Sequence, residues 1–331
     1  MTIPELLGKK LWPGGEARFS GFQFSLGVGG EIQEKGFGGR LAALESAPAV
    51  NTSTVFDLAS VTKLYTATLA ALMHANGEID LDAPVSNWVD APANLAQLSG
   101  RELLTHVSGL PPWWEEQNSR EKTISKLMEL VPDEGQKGQI VYSCTGYSLF
   151  ALLIERAVGK RFDSVLRDRL LDPLDLIQTK FNAGANSSNI AQAKESHEQI
   201  GFGLVHDPRA RALDGVSGNA GLFSNSTEVF RFFSEILTNR LIPDEARKQL
   251  FTPTANGDWQ QAIGFRYRDK ERLGDKSHFF SHTGFTGTLV MVNPENATVA
   301  VMLTNRLVCG TTREQMAEVY RNFAQSVPEV I

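Results

Sequence analysis

The segment from Asp57 to Tyr65 reads Asp-Leu-Ala-Ser-Val-Thr-Lys-Leu-Tyr, and the rest of the chain is organised around it. From Val61 onward, apolar residues recur at intervals of three and four, which predicts a helix with one buried face. Gly77 ends this pattern, as glycine often does just after a helix. Ser60 is therefore expected in or beside the first turn, with Lys63 one turn later on the same side.

A serine in this position has three properties that suit nucleophilic chemistry. Its hydroxyl feels the positive end of the helix, and its backbone N–H is left unpaired and can bind an oxyanion. An amine one turn away can take the hydroxyl proton if the amine is held neutral. The Ser-x-x-Lys pattern is common by chance, however, and a second copy at Ser119–Lys122 is interpreted as the start of a surface helix.

Composition places the chain among ordinary globular proteins. It has 331 residues, of which 42% are hydrophobic and 21% charged, enough for two lobes and a substantial core. The net charge of −6 is spread along the chain without a basic patch, which gives no support for nucleic-acid binding. No apolar run is long enough to cross a bilayer, so no membrane partner is predicted. The two cysteines, Cys144 and Cys309, do not suggest a disulfide framework.

The amino-terminal residues lack the basic-then-apolar order of a secretory signal. This favours a cytoplasmic location. A periplasmic or secreted location would be expected instead if a leader had been removed.

Strand patterns occur near both ends of the chain, and helical patterns dominate between them. The early strands, 22–28 and 31–38, form a predicted hairpin. The late part has a helix at 228–237 with Ser226 or Thr227 as its cap, and a last helix at 314–325. Between these helices, strands are predicted at 263–267, 278–281, 287–292 and 298–304.

Consecutive strands joined by short turns pair antiparallel, so the two ends of the chain are expected to share one antiparallel sheet. The predicted fold class is α+β, an antiparallel sheet flanked by helices, with an inserted, mainly helical lobe. The sheet domain comprises residues 1–76 and 226–331, and the helical domain residues 77–225. The functional site is expected between them.

Two further segments follow Ser60 and Lys63 in a suggestive order. Tyr142-Ser143-Cys144 leaves an extended stretch and enters a helix, and His282-Thr283-Gly284 lies at the end of a predicted strand. Here the chain resembles the serine β-lactamase and penicillin-binding protein superfamily. It is most similar to the branch with class C β-lactamases, D,D-carboxypeptidases and β-lactamase-related esterases. The intervals also match this branch, and segments 103–110 and 216–224 resemble stretches found in it.

The resemblance implies a reaction and a role for each site residue. Ser60 would be the nucleophile of an acyl-enzyme reaction, assisted by Lys63 and Tyr142. Either a neutral Lys63 or a Tyr142 phenolate beside a charged Lys63 could be the base, and the sequence leaves both open. The backbone N–H groups of Ser60 and Phe285 would form the oxyanion hole.

The remaining implied site residues contact the substrate. They are Cys144, His282, Thr283 and Gly284, with Gly284 giving the substrate room to approach the strand backbone. The six histidines show no metal-ligand spacing, and neither a metal nor a cofactor is predicted. A Ser-x-Asn at Ser217–Asn219 imitates a class A motif, but it lies too far from Ser60 for that class.

Two departures from the family pattern bear on the substrate. Cys144 stands where the family has an asparagine amide, and His282 stands where β-lactamases commonly have lysine. A thiol is a weak donor and acceptor, and histidine adds little charge at pH 7. Both changes argue against efficient β-lactam hydrolysis and favour a small ester or amide. Trp113 and Trp114 could wall an apolar acyl pocket or simply pack in the lobe.

Three alternatives remain open at this stage. The first is a D,D-carboxypeptidase or penicillin-binding protein, and the second is a weak class C-type β-lactamase. The third is a catalytically silent member that binds a ligand or a partner. The sequence does not indicate an oligomeric state.

Overall fold

The computed structural model describes residues 1–115, 117–184, 189–193, 203–238 and 242–328. The helices are α1 (Ile3–Gly8), α2 (Thr62–Ala75), α3 (Gly100–Leu104), α4 (Arg120–Met128), α5 (Thr145–Val158), α6 (Phe162–Leu166), α7 (Pro208–Ala212), α8 (Ser226–Thr238), α9 (Asp244–Leu250), α10 (Lys270–Leu273) and α11 (Arg313–Ser326). The strands are β1 (Gly21–Val28), β2 (Glu31–Gly39), β3 (Phe56–Asp57), β4 (Lys180–Phe181), β5 (Leu222–Ser224), β6 (Ala255–Asn256), β7 (Gln260–Gln261), β8 (Arg266–Tyr267), β9 (Phe280–Gly284), β10 (Thr288–Asn293) and β11 (Thr298–Thr304).

One large sheet joins the two ends of the chain. Its strand order is β2-β1-β11-β10-β9-β8-β7-β6, and all neighbouring strands pair antiparallel. Phe24 on β1 lies opposite Met302 on β11, so the amino-terminal hairpin extends a sheet made by the last third of the chain. The predicted shared antiparallel sheet is confirmed. The domain boundaries at residues 76 and 226 stay a prediction.

Helices cover both faces of this sheet, because successive side chains on a strand point to opposite sides. On β10, Leu289 and Met291 pack in the cluster that includes residues of α1 and α11. Val290 and Val292 pack in the cluster that includes residues of α2 and α8. The α+β fold class, an antiparallel sheet flanked by helices, is confirmed.

A second, small sheet was not predicted from the sequence. It has the order β3-β5-β4, and Asp57 on β3 pairs with Phe223 on β5. The next residue, Leu58, donates its backbone N–H to the carbonyl of Leu222 at 2.9 Å. Such two- and three-residue strands give no periodic signal in a sequence. This sheet matters for the site because it anchors the chain just before Ser60.

The strand predicted at 263–267 is wrong in its first half. Only Arg266–Tyr267 forms a strand. Gly264 has a φ of +81°, and Ala262 donates its N–H to the Phe265 carbonyl at 2.9 Å, so the backbone makes a tight turn there. The apolar residues of this stretch are buried in that turn rather than in a strand.

The cap predicted for α8 is also wrong. The helix begins at Ser226, and the side-chain oxygen of Asn225 accepts the N–H of Glu228 at 2.9 Å. Asparagine is as good a cap as serine, so its position one residue earlier decided the outcome. By contrast, Ser119 caps the surface-facing start of α4, as its Ser-x-x-Lys pattern was interpreted.

A core substitution tests the packing of the helices against the sheet. Phe232 on α8 is fully buried, and its ring stacks on Tyr65 of α2 with centroids 4.0 Å apart. We expect Phe232→Ala to lower the free energy of unfolding by about 3–5 kcal/mol, because it removes a buried ring and leaves a cavity. Urea denaturation measures the change. Phe37→Ala is the matched control: Phe37 is 48% exposed, and a change of about 0.5 kcal/mol or less is expected. Equal effects of the two variants would contradict this packing.

Candidate active site

Ser60 lies in a single turn of 3₁₀ helix, Ala59–Val61, which leads directly into α2. Ala59 has a φ of +46°, an uncommon conformation for a residue with a side chain. One threonine in the turn between β9 and β10 and one at the start of β10 hold this segment to the sheet. Thr286 Oγ1 donates to the Asp57 carbonyl at 2.7 Å, and Thr288 Oγ1 donates to the Leu58 carbonyl at 3.1 Å. The position of Ser60 is thus fixed by the hairpin end of two central strands of the sheet.

Gly284 is required by the same close approach. A Cβ atom at this position would lie 2.5 Å from the Leu58 carbonyl oxygen and 2.0 Å from Thr288 Oγ1. The sequence-based reason for this glycine was room for the substrate. The structure adds a packing reason, because the strand end and the Ser60 turn are in contact at this point.

Lys63 projects from the first turn of α2 and is fully buried. Its ammonium group donates to Ser60 Oγ at 3.2 Å, to Cys144 Sγ at 3.6 Å and to the carbonyl of Asn219 at 3.3 Å. An ammonium has three N–H donors, and three acceptors surround it. This environment suits a charged lysine in the resting protein.

The pKa of Lys63 lies above its ordinary value. Burial alone lowers this pKa, but the neighbouring Cys144 and Tyr142 side chains raise it by more. Lys63 is therefore charged at neutral pH.

Tyr142 lies beside the Lys63 ammonium group, and the side chains of Arg266, His106 and His282 also lie near its ring. Lys63 Nζ is 5.0 Å from the centroid of the Tyr142 ring, and the Arg266 guanidinium carbon is 5.2 Å from it. The ring centroids of His106 and His282 lie 4.7 and 6.0 Å from that of Tyr142. Tyr142 therefore belongs to the same cluster of side chains as Lys63.

The two histidines are neutral, and their Nε2 atoms differ: that of His106 is a hydrogen-bond donor, and that of His282 is an acceptor. Burial, followed by the charges of Lys63 and Arg266, holds the pKa of each well below its ordinary value. His106 Nδ1 accepts the N–H of Ser143 at 3.1 Å, so its Nε2 carries the hydrogen. His282 Nδ1 lies 2.8 Å from the Thr283 carbonyl and donates to it, so its Nε2 is an acceptor. Both Nε2 atoms are buried without a protein partner among the described residues.

A cavity of about 650 Å³ opens over Ser60. The predicted site residues that line it are Ser60, Tyr142, Cys144, His282, Thr283, Gly284 and Phe285. Lys63 lies beneath the cavity and contacts Ser60 and Cys144. The structure therefore brings every predicted site residue together at one place.

The two adjacent tryptophans have different environments. Trp113 is 62% exposed and lines the cavity, whereas Trp114 is 3% exposed and packs in the core. The Trp114 carbonyl accepts a hydrogen bond from Arg209 at 2.8 Å. Only Trp113 is therefore placed to contact a substrate, and Trp114 has the packing role.

Asn219 belongs to the site although its sequence motif had been set aside. Its backbone carbonyl accepts from Lys63, and its side-chain oxygen accepts from Ser148 and Ser217 at 2.9 and 2.7 Å. The Ser217–Asn219 segment thus supports the lysine without taking the class A role that its letters imitate. The likeness of 216–224 to the family was the one signal that could have shown this.

His106 was also missed as an individual residue. Its carbonyl accepts the N–H of Val141 at 2.9 Å, and its ring accepts the N–H of Ser143. These two bonds hold the backbone on either side of Tyr142. The resemblance of segment 103–110 to the family signals this position but not its contact.

Within the described ranges, one group could offer three ligand atoms to a metal ion: His74, Asp80 and Asp82. Arg101 already forms an ion pair with the Asp82 carboxylate, and both aspartates are exposed. This group lies outside the residues that line the cavity. No helix in the described part of the chain combines the length and apolar character that crossing a membrane requires.

Comparison with known proteins places this site in a family context. A family profile described as Beta-lactamase matches residues 9–325. A Bacillus subtilis (strain 168) protein named N-acetylmuramyl-L-alanine amidase is 30% identical over 310 residues, covering 78% of this chain and 69% of that protein. A putative D-alanyl-D-alanine carboxypeptidase from Salmonella agona (strain SL483) is 28% identical over 307 residues, covering 77% and 70%.

Solved structures share the fold over nearly the whole chain. The structure titled EstCE1, a hydrolase with promiscuous acyltransferase activity, superposes with a TM-score of 0.74 at 20% identity. The match covers 95% of this chain and 97% of that one. At this identity the likeness establishes the fold alone.

The contact between Gly284 and Leu58 yields a test of the Ser60 turn. We expect Gly284→Ala to lower kcat/KM for a p-nitrophenyl ester at least about tenfold, because the added methyl group displaces the Leu58 carbonyl and the turn that carries Ser60. Gly15→Ala is the control, since a Cβ there meets nothing within 4 Å. Thermal melting should show that both variants fold. Wild-type kcat/KM in a folded Gly284→Ala protein would contradict the role of this contact.

Proposed function

Because the chain belongs to the Beta-lactamase family, we propose that it is a serine hydrolase that forms an acyl-enzyme on Ser60 with a small ester or amide. One observation carries this proposal. The Ser60 hydroxyl lies 3.2 Å from the buried Lys63 ammonium, at the base of a cavity that Tyr142 also lines.

We assign the role of base to Tyr142 rather than to Lys63. Lys63 is charged and donates to Ser60, so it has no lone pair with which to take the serine proton. Tyr142 as a phenolate can accept this proton while Ser60 Oγ attacks the substrate carbonyl carbon. Tyr142 then returns the proton to the leaving alcohol or amine when the bond to the acyl carbon breaks.

The negative charge that forms on the carbonyl oxygen needs preorganised donors. The backbone N–H groups of Ser60 and Phe285 are the proposed oxyanion hole, each typically contributing about 3 kcal/mol. Ser60 lies in the 3₁₀ turn just before α2, and Phe285 follows the last residue of β9. Water then attacks the acyl-enzyme by the reverse proton transfer, which releases the acid and restores the Ser60 hydroxyl.

The walls of the cavity support a small substrate with an apolar part. Trp113 and Phe285 are 62% and 38% exposed and line the opening. Cys144 and His282 replace the groups that favour β-lactams in the family, and His282 is neutral here. Thr283, half-buried at the cavity, offers a hydroxyl to a substrate oxygen.

A D-alanyl-D-alanine carboxypeptidase is the second candidate, because relatives of 28% identity carry that name. Release of D-alanine from an acyl-D-alanyl-D-alanine peptide at a rate above that for p-nitrophenyl esters would favour it. The expected cytoplasmic location stays a prediction. Cell fractionation tests it, and a protein found with the cell envelope would also favour the second candidate.

The nucleophile is tested by covalent labelling. We expect a fluorophosphonate to add one adduct to the wild-type protein, located on the peptide that contains Ser60, and Ser60→Ala to abolish the adduct. Hydrolysis of p-nitrophenyl esters should fall at least about 10³-fold in the same variant. Intact-mass and peptide mass spectrometry measure the adduct.

Ser53→Ala is the control for this experiment, because Ser53 is exposed and lies in the turn before β3. It should be labelled and should turn over substrate like the wild type. An adduct on another peptide, or full activity in Ser60→Ala, would contradict the assignment of Ser60 as the nucleophile. A protein that takes no label and hydrolyses nothing would instead support a catalytically silent binding role.

The thiol at Cys144 yields a prediction about substrate preference. Cys144→Asn places an amide at the position where the family has one, and we expect it to raise nitrocefin turnover relative to ester turnover about tenfold. Cys144→Ala is the matched control, because it removes the thiol without adding an amide. Steady-state rates on both substrates measure the ratio. The same ratio in Asn and Ala variants would show that the amide has no such role.

A further inference from the structure

Asp57 is a buried carboxylate that the proposed reaction does not use. It lies three residues before Ser60, and it is only 2% exposed. Its Oδ1 accepts the backbone N–H of Ala59 at 2.8 Å, and its Oδ2 accepts the backbone N–H of His206 at 2.7 Å. One side chain therefore joins two separate segments of the chain.

The first segment is the turn that carries Ser60. Ala59, the residue before Ser60, has the left-handed φ of +46°. A residue with a Cβ seldom adopts this conformation unless its surroundings hold it there. The hydrogen bond from Ala59 N–H to Asp57 is such a constraint, and it acts one residue from the proposed nucleophile and oxyanion donor.

The second segment reaches the other proposed oxyanion donor. The His206 ring stacks on the Phe285 ring, with centroids 5.1 Å apart and an interplanar angle of 26°. The Phe285 carbonyl is in turn held by Arg306 Nε at 2.6 Å. Asp57 thus contacts the segment that packs on Phe285 as well as the turn that carries Ser60.

We propose that Asp57 is a positioning residue for acyl transfer, whose ionised carboxylate holds the Ser60 and Phe285 segments in the arrangement of the oxyanion hole. This inference rests on the proposed function, since it needs Ser60 as the nucleophile. Asp57 itself touches neither substrate nor reacting atoms.

The charges around Asp57 make this arrangement sensitive to pH. Burial raises the pKa of Asp57 to about 6, its hydrogen bonds to His206 and Ala59 oppose the rise, Asp207 adds to it and Arg211 opposes it. Two other elements contact the Asp57 backbone, strand β5 and the turn between β9 and β10, and neither places a titratable side chain near the carboxylate. Lys63, on α2, directs its ammonium group toward Ser60.

Protonation removes part of what the carboxylate does. A carboxylic acid keeps one good acceptor oxygen and gains a donor, so it cannot hold both N–H groups as the carboxylate does. As the pH falls through about 6, a growing fraction of the protein has a protonated Asp57. In that fraction the Ser60 turn loses its charge-assisted constraint.

The test follows the rate at which a fluorophosphonate labels Ser60 between pH 4.5 and 8. We expect the wild-type rate to fall below a midpoint near pH 6. Asp57→Asn should be labelled at least tenfold more slowly at pH 7.5 and should lack this midpoint. Asp80→Asn, an exposed Asp-to-Asn control, should match the wild type. Thermal melting reports whether each variant is folded.

A double variant separates positioning from a merely structural effect. Glycine adopts a positive φ without strain, so Asp57→Asn combined with Ala59→Gly should recover the labelling rate several-fold over Asp57→Asn alone. No recovery, or labelling of folded Asp57→Asn at the wild-type rate, would overturn the positioning role.

The pH dependence of the wild-type labelling rate tests the role of Asp57 even if Asp57→Asn does not fold. A rate that stays constant from pH 5 to 8 would overturn the role of Asp57, while the label on Ser60 would leave the proposed function intact. Wild-type protein that takes no label on Ser60 at any pH would overturn both.

Discussion

The contact between the β9–β10 hairpin end of the large sheet and the Ala59–Val61 turn is the constraint on which the site depends. The hydroxyls of Thr286, in the β9–β10 turn, and Thr288, the first residue of β10, donate to the carbonyls of Asp57 and Leu58, and Gly284 lets the two backbones meet. Helix α2 begins directly after this turn and carries Lys63. The position of the lysine therefore follows from the position of the serine, and both follow from the sheet.

The buried carboxylate of Asp57, just before this turn, lowers the stability of the folded chain. Burial raises the pKa of Asp57 from 3.8 to about 6, a difference that corresponds to ~3 kcal/mol. A group with a raised pKa contributes its full stability below pH 3.8 and loses it as the pH rises through about 6. At neutral pH, ionised Asp57 therefore destabilises the fold. Its presence is better explained by the segments it joins than by folding.

Local patterns in the sequence were enough to predict the main elements of the fold. The strand at 298–304 is a nearly continuous apolar run, and the helix after Ser60 has apolar residues at helical intervals; both form where expected. The small sheet of β3, β4 and β5 could not be predicted in this way, because its short strands meet across long separations in the chain. The turn at Gly264 misled the prediction for the opposite reason, since a buried tight turn has the same apolar composition as a strand.

The site shows the same division between local and long-range information. The spacing of Ser60 and Lys63, together with the resemblance of the Tyr142 segment to a known family, was enough to name these three residues as candidates. Asn219 contacts Lys63, and His106 contacts the loop that carries Tyr142. Both contacts depend on how distant loops fold together, so the spacing of residues in the sequence does not predict them. Trp113 and Trp114 are adjacent and chemically identical, and only the path of the backbone exposes one and buries the other.

The buried ammonium of Lys63 is satisfied by both local and long-range contacts. A charge without access to water requires acceptors, and Lys63 has a hydroxyl, a backbone carbonyl and a thiol. The thiol of Cys144 is the weakest of the three acceptors. An amide oxygen at this position would be a stronger acceptor. Cys144 faces both the Lys63 ammonium and the cavity, so replacing it with Asn would change the environment of the lysine as well as the wall that contacts the substrate.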